Sequence, residues 1–164
     1  MEFTKKGQTL MTNGTPLNVG MQLPDFTVIN QDNQSITKQD LITKTTLISV
    51  VPNINTPVCS ISTKRFNDEV NHYPDVNFYT ISTNTVSEQQ TWCARSAVSN
   101  MMLLSDASHD FGQKMGLDIA TAGIDARSVW VIAPDGNILY RQLVTELSHE
   151  PDYAAVLAFL RNKH

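Results

Sequence analysis

Two cysteines, Cys59 and Cys93, are the residues of this 164-residue chain best suited to covalent chemistry. A pair this sparse, in a reducing compartment, is more often reactive than structural. The surroundings of Cys59 sharpen the point. Thr56 is a favoured helix N-cap and Pro57 suits the first helical position, which makes Cys59 the third residue of a first turn, among backbone N–H groups without intrahelical partners. A free cysteine ionises near ~8.5, and a helix N-terminus with a nearby cation can lower that below neutrality and turn an inert thiol into a nucleophile. The plainer role is a small buried hydrophobe, and position alone leaves both open.

Other familiar sites are excluded by spacing. No two of the seven glycines lie two or five apart, so neither a dinucleotide fingerprint nor a phosphate-cradling loop is present. His72, His109, His149 and His164 are scattered without ligand spacing, and the cysteines are too far apart for a CxxC knuckle. The sequence therefore predicts no metal, and the histidines are expected to be solvated surface residues. With 12 Lys+Arg against 16 Asp+Glu the chain carries a formal charge of −4, and no basic cluster is long enough to track a phosphate backbone, so nucleic acid is not an expected partner. The hydrophobic content of 41% sets it apart from disordered chains. Its longest apolar run, Tyr153 to Leu160, is well short of the ~20 residues of a membrane span, which predicts a soluble protein. Met1 to Leu17 shows neither an apolar stretch nor a small-residue cleavage site, which predicts a cytoplasmic location.

The elements that must position the cysteines follow from periodicity. The first residues read as a hairpin over residues 1–19 turning at Asn13-Gly14, with Asp25 to Ile29 as a further strand. Thr46 to Val51 is an apolar, β-branched run of the kind buried on both faces, and it stops at Pro52. Cys59, Phe66, Val70 and Tyr73 share a helix face. Val76 to Ser82 resumes a strand, and Ser87 to Gln90 reads as a capping box opening a helix with Trp92 and Cys93, which puts both cysteines near helix starts. Downstream come a strand over Met101 to Leu104, a short helix over Asp110 to Met115, and a strand over Val129 to Ala133. The turn Pro134-Asp135-Gly136-Asn137 then leads into Ile138 to Val144, and a final helix carries Tyr153, Val156, Leu157 and Leu160 on one face. This order predicts a single α/β domain over residues 1–164, a mixed sheet covered by helices.

Pro52, Thr56 and Cys59 occur as PxxxTxxC at a strand-to-helix turn, and this resembles the peroxiredoxin active-site motif. Ser49 to Cys59, Trp92-Cys93, Leu104-Ser105-Asp106, Phe111-Gly112 and Arg127 to Val131, in that order, resemble the bacterial thiol peroxidase branch over essentially the whole chain. The resemblance implies a thioredoxin-like fold with an N-terminal β-hairpin extension, and a peroxidase acting on hydrogen peroxide and organic hydroperoxides without a cofactor. It implies Cys59 as the peroxidatic nucleophile and Cys93 as the resolving thiol, joined in an intrachain disulfide that a thioredoxin-type reductant reopens. Thr56 would hydrogen-bond the thiolate and the peroxide, Arg127 would favour the thiolate and the charge moving onto the leaving oxygen, and Pro52 would shield the sulfur from water. Trp92 is expected to pack. A homodimer is a further implication.

Two departures stand out against that branch. Asn55 occupies a place where Asp is common, which removes a negative charge beside the thiolate. Cys93-Ala94-Arg95-Ser96-Ala97 stands where Cys-Gly-Ala-Glu-Gly is usual, which predicts a stiffer resolving segment. Two rivals use the same cysteines: a peroxide sensor that oxidises once without turnover, and a disulfide oxidoreductase, which ordinarily requires a CxxC pair.

Overall fold

A computed structural model of the chain describes residues 1–96 and 101–162, and Ala97 and His164 of the sequence reading lie outside them. The chain opens with a hairpin of β1 (Glu2–Lys5) and β2 (Gln8–Met11). Its turn is at Lys6-Gly7, where both residues take positive φ, 50° and 86°. The expected turn at Asn13-Gly14 is not made. Asn13 instead donates its N–H to the Asp118 carbonyl and its side-chain amide to the Gln113 carbonyl, so a tertiary contact takes the place of the local turn.

Seven strands form the main sheet: β3 (Thr27–Ile29), β4 (Ser35–Thr37), β5 (Thr45–Val50), β6 (Val76–Ser82), β7 (Met102–Ser105), β10 (Ser128–Ile132) and β11 (Ile138–Leu143). They lie in the order β11-β10-β5-β6-β7-β3-β4. The central trio β5, β6 and β7 is parallel, and β10, β11, β3 and β4 are antiparallel to their neighbours. A two-strand ladder, β8 (Asp118–Ile119) with β9 (Ile124–Asp125), stands apart from it. The helices are α1 (Lys38–Leu41), α2 (Pro57–Glu69), α3 (Val86–Ser96), α4 (Asp110–Met115) and α5 (Tyr153–Arg161).

The period of two along a strand divides the core. Leu47 of β5 with Val129 and Val131 of β10 face one side, where they meet Phe66 of α2 and Val156, Leu157 and Leu160 of α5. Ile48 and Val50 with Trp130 and Ile132 face the other, where Phe111 and Met115 of α4 and Leu41 of α1 cover them. Because β5 is buried at all six positions, both layers rest on it, and the chain leaves the sheet at its C-terminal end from a fully covered strand. A third apolar cluster of Val51, Ile54, Cys59, Trp92 and Leu103 begins at that end.

Helix α3 starts at Val86, one residue earlier than Ser87, because the capping box is made by Thr85 and Glu88. Glu88 N–H donates to Thr85 Oγ1 (3.2 Å), and the Thr85 N–H donates to Glu88 Oε1 (3.0 Å). Cys93 therefore falls in the C-terminal half of α3 and not near its start. The helix continues through Ala94, Arg95 and Ser96, as expected for a segment without glycine.

Candidate active site

The site grows from the point where β5 ends. Pro52 is buried, and the loop after it is tied by two asparagines. The Asn53 carbonyl accepts the Thr56 N–H (3.1 Å) and the Thr56 hydroxyl (3.0 Å), and Asn53 Oδ1 accepts the Asn55 N–H (3.0 Å). From the turn before α3, the Asn84 amide donates to Asn53 Oδ1 (3.1 Å) while its Oδ1 accepts the Ile54 N–H (2.8 Å). Asn84 thus fixes the loop that leads to Cys59. Asn55 itself is exposed.

Helix α2 then begins as the sequence predicts. Thr56 is the N-cap, Pro57 the first helical residue, and Thr56 Oγ1 accepts the Cys59 N–H at 3.4 Å. The Thr56 hydroxyl proton goes to the Asn53 carbonyl, so its hydrogen bond to the sulfur, implied by the resemblance, is not made in this arrangement. Cys59 is fully buried.

Arg127 leaves the chain between β9 and β10, only 2% exposed, and reaches Cys59. Its Nη2 donates to Cys59 Sγ at 3.1 Å. The guanidinium is aimed by the Leu147 carbonyl, which accepts from Nε (3.1 Å) and Nη2 (3.0 Å). Its Nη1 is buried with no hydrogen-bond partner among the described residues. A planar fork with two arms fixed and one donor left over is suited to a second acceptor beside the sulfur.

Leu147 is in turn held by the N-terminal hairpin. Its N–H donates to the Thr4 carbonyl (2.7 Å), and the Thr4 N–H donates to the Thr145 carbonyl (2.7 Å). The neighbouring Glu146 carboxylate accepts from Thr4 Oγ1 (3.1 Å), the Lys6 N–H (3.0 Å), the Ser148 N–H (2.7 Å) and the Ser148 hydroxyl. These donors, Ser148 first, hold the Glu146 carboxyl down at about 2. A lowered carboxyl stabilises the fold above its unfolded value near 4.5, and that contribution fades as pH falls toward about 2. Glu146→Gln should accordingly melt below the parent at neutral pH, with the gap closing in acid. Thermal melts from pH 7 to pH 2 check this, and a gap that widens in acid contradicts the latch.

Cys93 is half-buried against the cluster that contains Cys59, and both cysteines are free thiols. Burial pushes the Cys93 thiol up. Trp92 is buried, as expected of a packing residue, and its Nε1 also donates to Ser60 Oγ at 3.3 Å, which fastens α3 to the turn of α2 that follows Cys59. The structure thus gathers Pro52, Thr56, Cys59 and Arg127 at the end of β5 and lays Cys93 against the same apolar cluster. Sequence reasoning missed Asn84 and Leu147. Asn84 sits in a polar turn that reads only as a turn, and Leu147 acts through its backbone, which leaves no trace in residue type.

Residues 18–157 match the Redoxin family. The chain is 37% identical over 153 residues to a thiol peroxidase of Bacillus subtilis (strain 168), covering 93% of this chain and 92% of that one. This chain belongs to the redoxin family, as a thiol peroxidase relative. A thiol peroxidase of Staphylococcus aureus (strain MRSA252) is 36% identical over 162 residues, 98% of each chain. Among solved structures, a peroxiredoxin-like protein from Aquifex aeolicus is similar at a TM-score of 0.90 and 29% identity, over 98% of this chain and 95% of its own. The thiol peroxidase from Chromobacterium violaceum, at 14% identity and a TM-score of 0.88 over 99% and 97% of the two chains, shares the fold. The redoxin fold here is thioredoxin-like α/β, and the activity is that of a thiol-dependent peroxidase, an antioxidant oxidoreductase. Among the described residues no helix is long and apolar enough to cross a membrane.

Proposed function

We propose that the chain acts as one domain that reduces hydrogen peroxide and organic hydroperoxides at Cys59, resolves with Cys93, and is recycled by a thioredoxin-type dithiol in the cytoplasm. The observation that carries this reading is the 3.1 Å contact of Arg127 Nη2 with a buried Cys59 Sγ in the first turn of a helix. The Cys59 thiolate attacks one peroxide oxygen, the O–O bond breaks, and the other oxygen leaves as alkoxide or hydroxide and takes a proton. Arg127 supplies a fixed positive charge for the electrons moving onto that oxygen, and its spare Nη1 is the donor for it. Pro52 keeps bulk water from the sulfur. Thr56 can turn its hydroxyl from Asn53 to the substrate while its oxygen still caps the helix.

The Cys59 sulfenic acid is then attacked by the Cys93 thiolate, the S–S bond forms, and hydroxide leaves as water. Dithiol exchange with the reductant returns both thiols. The homodimer implied by the resemblance belongs to the same reading, and sedimentation tests it.

Intact mass after one equivalent of peroxide tests the cycle. Loss of two hydrogens is expected for the parent and gain of oxygen for Cys93→Ser, and a parent that only gains oxygen contradicts resolution. Because burial raises the Cys93 thiol, the resolving step should accelerate as pH rises through the alkaline range. Stopped-flow tryptophan fluorescence separates the two phases, and a Trp130→Phe background isolates Trp92. A resolving phase independent of pH rules out the Cys93 thiolate as the attacking group in the limiting step.

A further inference from the structure

One cluster lies outside the thiol chemistry. Asp118 and Asp125 stand opposite each other in the β8–β9 ladder, so both side chains leave the same face, 4% and 0% exposed. His109, at the start of α4, brings its Nδ1 to 2.7 Å from Asp118 Oδ1. One nitrogen or oxygen from each of His109, Asp118 and Asp125 lies within 4.8 Å of the others. Beside them Asp106, fully buried, accepts the Phe111 N–H and the Gly112 N–H, both at 2.9 Å. The Asp125 carboxylate occupies the space over Gly112, where any Cβ would come within 1.8 Å of Oδ1. No backbone or side-chain N–H or hydroxyl donates to either Asp125 oxygen among the described residues.

Three buried carboxylates therefore lie beside one part-buried imidazole, which bonds Asp118, and no lysine or arginine pairs with any of them among the described residues. Buried charge on this scale is either neutralised by protons or bound to a metal. We propose that His109, Asp118 and Asp125 form a site for a divalent first-row transition cation. An imidazole with two carboxylates suits zinc or manganese better than magnesium, which favours oxygen ligands and retained water. Bond lengths of about 2.0–2.2 Å put the ligand atoms of such a cation about 3.0–3.5 Å apart, inside the 4.8 Å that encloses the three atoms here.

Without the cation, burial and the nearby Asp106 push the Asp125 carboxyl well up, and its proton reaches Asp106. A cation held there supplies the positive charge that the Asp125 carboxylate otherwise lacks. Asp106 then keeps its two backbone donors and acts as an outer acceptor. The result is a tie between α4 and the ladder that ends two residues before Arg127.

The histidines show no ligand spacing along the chain because these ligands come from a helix start and two short strands. The site stands or falls independently of the peroxidase reading. Its test uses the full chain with Cys59→Ser and Cys93→Ser, so that no thiol takes the metal, in equilibrium dialysis against zinc, manganese or magnesium chloride. About one zinc per chain is expected, with Asp125→Asn and Asp125→Leu each weakening uptake at least about thirtyfold while the far-ultraviolet spectrum is unchanged. Zinc should also shift the His109 ring resonances. No zinc uptake at millimolar concentration overturns the site and assigns the cluster to a shared proton. Uptake that both Asp125 variants leave unchanged overturns it as well, since the zinc is then held elsewhere.

Discussion

Cys59→Ser should reduce peroxide turnover to the rate without enzyme, a loss of at least about a thousandfold, because the serine hydroxyl supplies no anion at neutral pH. The substitution is mild in every other respect. Serine is nearly isosteric, its oxygen can accept from Arg127 Nη2 as the sulfur does, and the Thr56 cap bonds the backbone of residue 59 and not its side chain. Folding should therefore survive with a melting temperature within a few degrees of the parent, and the two readouts separate chemistry from structure. Coupled assays with thioredoxin and its reductase, beside thermal melts, decide the matter. Parental turnover in this variant removes Cys59 as the nucleophile.

Arg127→Ala carries the second large effect, a fall of about a hundred- to a thousandfold in the rate constant for the first reaction with peroxide. It removes the donor beside Cys59 Sγ and the spare Nη1, and it leaves the Leu147 carbonyl without its two bonds, at a cost of about 1–3 kcal/mol in stability. Arg127→Lys restores the charge without the fork. A single ammonium cannot serve Leu147 and the sulfur in the guanidinium geometry, so it should recover part of the rate and less of the substrate positioning. Single-turnover oxidation of the three proteins measures this. Equal rates in all three would reduce Arg127 to a packing residue.

Much of this arrangement is legible in the residues. Val76–Ser82 and Asp110–Met115 appear with the expected bounds, and the Thr56-Pro57 start places Cys59 where capping chemistry says it must lie. Local signals failed where a competing local signal or a distant partner prevailed. Lys6-Gly7 turns the hairpin because Asn13 is drawn to Gln113 and Asp118, far along the chain. The Ser87 box yields to Thr85 and Glu88, two residues upstream, and the shift moves Cys93 away from the positive end of its helix. Strands β8 and β9 have two residues each, too few to show a period, yet they carry Asp118 and Asp125. His109, expected in solvent, is drawn in by Asp118, and only the fold could bring the two together.

The pairing of Thr4 with Glu146 spans 142 positions of the chain, and it has a consequence for biosynthesis. Translation makes the hairpin before its partner segment, so the first strand can seat Leu147 only after residue 147 has emerged. The close approach of Arg127 to Cys59 Sγ therefore depends on a pairing that can form only after residue 147 has been made.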